Sequence, residues 1–87
     1  MSEDHIRQQL AALRTEVRGL RPTDQRAQDL KDHLLHDLDG FLAEPSAETH
    51  AGLSARLQEG VETFETSHPQ LTTTLARIID QLAAWNL

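Results

Sequence analysis

Apolar residues along this chain fall on four helical stripes separated by polar breaks. In the first, Ile6, Leu10, Leu13, Val17 and Leu20 are spaced four, three, four and three, the alternation that draws one narrow seam along an α-helix. Ser2 stands where a cap belongs, Glu3 and Asp4 put negative charge at the positive helix end, and Gly19 with Pro22 stops the helix near Leu20. A second helix, capped by Thr23 or Asp24, carries Ala27, Leu30, Leu34, Leu38, Phe41 and Leu42 until Pro45 ends it near Ala43 or Glu44. So short a connection predicts an antiparallel hairpin, with Leu20 near Leu30 and Ile6 near Phe41.

Ser46 caps a third segment, whose stripe of Leu53, Leu57, Val61 and Phe64 is thin and whose Gly52 and Gly60 lower its helicity. Leu71, Leu75, Ile78, Leu82 and Trp85 form the fourth stripe, after Ser67-His68-Pro69, where Ser67 or His68 is the cap and Pro69 lies in the first turn. Leu57, Phe64, Leu71, Ile78 and Trp85 recur every seventh residue straight through that junction. Two readings follow. Either the junction kinks one helix of about 40 residues and about 60 Å, or it breaks the chain into two helices. Continuous phase favours the kink. An interior proline costing ~3 kcal/mol, and the poor helix formers Thr72, Thr73 and Thr74, favour the break.

Composition narrows the class to all-α. Fourteen leucines and ten alanines against two valines and no tyrosine suit helices and not strands. At 87 residues a single domain buries only about 60% of the surface its unfolded chain exposes, so help from a second copy is expected. The seam at Leu57, Phe64, Leu71, Ile78 and Trp85 is the expected interface, because a hairpin half its length cannot cover it. Within the domain, residues 1–44 form the helical hairpin and 45–87 the C-terminal helical segment.

Charge and cysteine usage remove several functions. A net charge of −6 repels phosphate backbones and anionic membranes. The absence of cysteine excludes disulfides and thiolate metal sites. Neither a basic leader nor a run approaching the ~20 apolar residues of a membrane span is present, so the expected location is the cytoplasm.

Three groups of residues bear on chemistry. Asp29, His33 and His36, spaced four and three, set potential metal ligands along one helix, but Asp29 and His36 point away from the core stripe and His33 sits at its flank. Arg7, Arg14, Arg18 and Arg21 line a flank of the first helix; Asp37 and Glu44 at matching heights on the second make interhelical ion pairs the simpler account than a bound phosphate. His68 is a candidate base that no spacing pairs with a partner. Gly19, Gly40, Gly52 and Gly60 are scattered and form no phosphate loop, so no cofactor is expected.

The segment Phe64-Glu65-Thr66-Ser67-His68-Pro69-Gln70-Leu71, followed by Leu75, Ile78 and Leu82 and preceded by Ile6, Leu10 and Leu13, resembles a family of short bacterial helical proteins defined as a domain of unknown function. Its string is Phe-Glu, two residues, His-Pro, one residue, Leu. Chains of that family tend to close with glycine and an aliphatic residue, where Asn86 and Leu87 stand here; asparagine also adopts the left-handed cap. The resemblance implies a soluble helical protein and transfers no activity. A looser similarity to small helical chorismate mutases lacks their clustered cations, since Lys31 is the sole lysine.

The sequence therefore predicts an all-α, three- to four-helix bundle that forms a homo-oligomer and acts as a non-enzymatic self-association or protein-interaction module. Two alternatives are a small dimeric enzyme with a site between subunits, and an acidic binder of a basic protein surface.

Overall fold

The computed structural model describes residues 3–85; the Ser2 cap and the Asn86–Leu87 ending lie outside them. Four helices follow one another: α1 (Glu3–Arg18), α2 (Gln25–Ala43), α3 (Ala47–Phe64) and α4 (Pro69–Ala83). Links this short force each helix to reverse on its predecessor. α1 packs on α2, α2 on α3, α3 on α4, and α4 returns to α1, in a bundle of 35 × 20 × 19 Å. No strand occurs among the described residues.

Local chemistry fixes most of the helix ends. Asp24, not Thr23, caps α2 and accepts the Ala27 amide at 2.8 Å. Ser46 caps α3 in a reciprocal box: its hydroxyl accepts the Thr49 amide at 3.1 Å, and the Thr49 hydroxyl accepts the Ser46 amide at 2.8 Å. α1 stops at Arg18, two residues before the expected Leu20, and the Lys31 ammonium donates to the Leu20 carbonyl at 2.8 Å just beyond it.

The Ser67-His68-Pro69 junction is a break. Pro69 opens α4 at a position that needs no N–H, and His68 occupies the cap site without its side chain capping, because Nδ1 lies 2.9 Å from the Ser67 hydroxyl. The three threonines are accommodated by back-bonding. Their hydroxyls donate to the carbonyls of His68, Pro69 and Gln70 at 3.0, 3.2 and 3.2 Å, so each is satisfied within α4's own first turns.

One apolar core runs the length of the bundle, from Ile6, Leu10, Leu13 and Val17 of α1 to Leu71, Leu75, Ile78 and Leu82 of α4. No polar or charged residue is buried among the described residues. Gly60 belongs to this core. A Cβ there would meet the Leu75 Cδ1 at 3.2 Å and the Leu34 Cδ1 at 3.5 Å, so its lack of a side chain lets α3 sit close to α2 and α4.

Candidate functional site

The expected interface seam faces inward in this single chain. Leu57, Phe64, Leu71 and Ile78 are between 0 and 3% exposed, because the turn at 65–68 folds α4 back on α3 and points both halves of the stripe at the α1–α2 hairpin. The premise that one copy cannot cover this seam therefore does not hold for the closed bundle. Trp85 differs. It is half-buried at the bundle end, its indole edge-on to Phe41 with centroids 5.2 Å apart.

Two arginines of the stripe, Arg7 and Arg14, reach α2, with different partners from those expected. Arg14 pairs with Asp39, and the Arg7 guanidinium donates to the Leu42 carbonyl at 3.1 Å while lying 3.6 Å from Glu3. Asp37 instead faces α3, where it accepts from Arg56 at 3.0 Å. The reason is angular: residues 37 and 39 lie about 200° apart on a helix of 3.6 residues per turn, so the two carboxylates serve opposite neighbours. Arg18 and Arg21 remain exposed. At these exposures each ion pair contributes about 0.2–1 kcal/mol.

Asp29, His33 and His36 are all exposed, and Asp29 accepts the Gln25 side-chain amide at 2.8 Å. The described residues bring no three potential ligands together in a metal-holding group. His68 meets the Phe64 ring edge-on at 5.6 Å, which turns it toward the core end of α3.

His50 carries a role that the sequence reading missed. Its Nε2 lies 2.6 Å from the Leu82 carbonyl, which requires the proton on that nitrogen, and its ring packs edge-on to Phe41 at 6.2 Å. One histidine of α3 thus ties the end of α4 to α2. The signal was present: His50 precedes Leu57 by seven residues and so begins the same heptad beat.

Surface recesses mark three places, one of them a recess of about 220 Å³ on the α2–α3 seam between Asp37 and Thr49. Another, about 490 Å³, lies between the α1–α2 link and the α3–α4 turn, where Arg21 and Arg26 are balanced by Asp24 and Glu62. The third place is the α1–α4 seam, the sparsest of the four. Three clefts of about 300, 150 and 320 Å³ follow it from Glu3 and Trp85 through Leu13 and Ile78 to Leu20 and Leu71. Two buried amide oxygens on these helices, Gln9 Oε1 and Gln81 Oε1, have no hydrogen-bond partner. Among the described residues no helix is long and apolar enough to cross a membrane.

No curated protein and no solved structure matches the chain. A family profile described as a domain of unknown function, DUF4404, matches residues 6–85, which covers all four helices apart from the first turn of α1. The chain belongs to the DUF4404 family.

Proposed function

We propose that this chain is a non-enzymatic helical module that acts by self-association. One observation carries the reading: the bundle is closed unevenly. The seam between α1 and α4 is the sparsest of the four, three clefts follow it, and it holds two unpaired amide oxygens, whereas a single recess of about 220 Å³ marks the seam between α2 and α3. Ile6, Leu13, Ile78 and Leu71 form the floors of those clefts while staying only 1–3% exposed, so a partner chain seated along the seam would thicken a thin cover over the core. Trp85 at the rim adds an aromatic anchor of the kind enriched in binding hot spots.

The test is solution mass by light scattering over a concentration series. Self-association gives a mass at or above twice the 9.8 kDa of one chain. A single-chain mass at every concentration overturns the reading.

A further inference from the structure

The break between α3 and α4 rests on very little structure. Glu65, after the last residue of α3, keeps helical dihedrals of φ −53° and ψ −43°. The His68 amide still donates to the Phe64 carbonyl at 2.8 Å, and the Thr72 amide to the His68 carbonyl at 3.0 Å. These are helical i to i−4 bonds on either side of the junction. His68 itself departs, with φ −138° and ψ 72°, and Pro69 follows it. No residue with positive φ is used among the described residues, so no left-handed glycine locks the reversal.

Sequence phase does not break where the chain does. His50, Leu57, Phe64, Leu71, Ile78 and Trp85 keep one seven-residue beat across the turn. The beat satisfies the closed bundle, where both halves of the stripe face inward, and it would equally keep one apolar face along a continuous helix. α4 packs closely on α3 and sparsely on α1, and the sparse seam, which α1 shares, holds the unpaired Gln9 and Gln81 oxygens.

We propose that self-association proceeds by exchange of α4 between two copies of this chain. His68 turns into helical geometry, α3 and α4 join into one helix of roughly 37 residues and about 55 Å, and α4 fills the place of its counterpart in the partner bundle. Leu57 and Phe64 then meet the partner's α4, and Leu71 and Ile78 the partner's core. The occupant is a second copy because the vacated site is already shaped for α4. The inference rests on the self-association reading and specifies its geometry. Pro69 opposes the straight helix and His68 is its hinge, so closed and exchanged forms share one set of core contacts and differ at this turn.

The absence of native cysteine permits a direct test. Ala51→Cys and Ala83→Cys place spin labels at exposed positions near the same bundle end. Labelled chain is diluted into unlabelled chain, and pulsed spin-resonance distances are read on the dimer fraction. The closed bundle keeps the pair within about 15 Å on adjacent helices, and exchange separates them to about 48 Å along one helix. A dimer with the long distance supports the proposal. A dimer with only the short distance overturns exchange and leaves self-association standing; no dimer at any concentration overturns both. As a second measure, Pro69→Ala lowers the dimer dissociation constant at least tenfold, and two glycines inserted between Ser67 and His68 raise it at least tenfold while the single chain stays folded. A dissociation constant unmoved by either change overturns the exchange.

Discussion

Three helix-interior glycines of this chain meet different surroundings, and that difference tests the bundle directly. At Gly40 and Gly52 an added Cβ meets nothing within 4 Å, whereas at Gly60 it meets the Leu75 Cδ1 at 3.2 Å and the Leu34 Cδ1 at 3.5 Å. Replacing a mid-helix glycine by alanine gains about 0.8–1.0 kcal/mol of intrinsic helix preference. Gly40→Ala and Gly52→Ala should keep that gain, and in a domain of this size each kcal/mol raises the melting temperature by roughly 4–8 °C. Gly60→Ala receives the same gain but crowds two leucines that are themselves fully buried. Overpacking of a tight core costs about 1–3 kcal/mol, so the net change runs from none to a loss of about 2 kcal/mol. The assay is thermal unfolding followed by far-ultraviolet circular dichroism, with urea midpoints as a second measure. The expected order places Gly40→Ala and Gly52→Ala above wild type and Gly60→Ala at or below it. Adding Leu75→Val to Gly60→Ala should recover part of the loss through coupling of neighbouring sites. If Gly60→Ala stabilises as much as Gly52→Ala, α3 does not approach α2 and α4 as described, and the packing argument fails.

Further changes probe other levels of the structure. Phe64→Ala removes a side chain only 1% exposed and should cost about 3–5 kcal/mol; a urea midpoint within error of wild type would show that this ring is not core. His50→Leu deletes the donor to the Leu82 carbonyl and should cost about 0.5–1.5 kcal/mol, read as faster amide exchange over the last turn of α4, with unchanged exchange there counting against the tie. Arg14→Ala breaks a partly exposed pair with Asp39 and should cost no more than about 1 kcal/mol; a loss of several would mean that the stripe has a task besides pairing.

Much of the fold was legible because its stripes are regular. The heptad seams of α1 and α4 and the broader face of α2 name the core residues found here, and Pro22, Pro45 and Pro69 mark the links. Two matters were not legible. Phase alone does not distinguish a kinked helix from two antiparallel ones, since the beat through Leu57, Phe64, Leu71 and Ile78 satisfies both; the deciding contribution comes from the α1–α2 hairpin, which offers α4 a surface to fold against. The thin stripe of α3 made Gly60 look like a defect, when it is a notch that admits leucines from two neighbours. Of the candidate chemistry, Arg14 of the arginine flank pairs with α2, through Asp39 in place of Asp37, and Arg7 reaches the Leu42 carbonyl, while Arg18 and Arg21 stay exposed and Glu44 takes no part. Partners on a helix surface depend on angular position, which spacing along one chain fixes only to within a fraction of a turn.

The purely hydrocarbon interior has a bearing on how this molecule keeps its register. Leucines dominate the core, and among the described residues no wholly buried polar or charged side chain interrupts them, the orphaned Gln9 and Gln81 oxygens lying along the α1–α4 seam. Such a lining resists poorly the sliding of one helix past another by a turn of about 5.4 Å, a slip that a single interior polar residue forbids in other assemblies. Here the vernier lies in the Gly60 notch inside the core and in the His50 tether and the Arg56–Asp37 clasp at its edge. Exchanges among leucine, methionine and isoleucine inside should therefore shift stability while leaving alignment intact, whereas loss of those three fittings together should yield a helical but misaligned bundle.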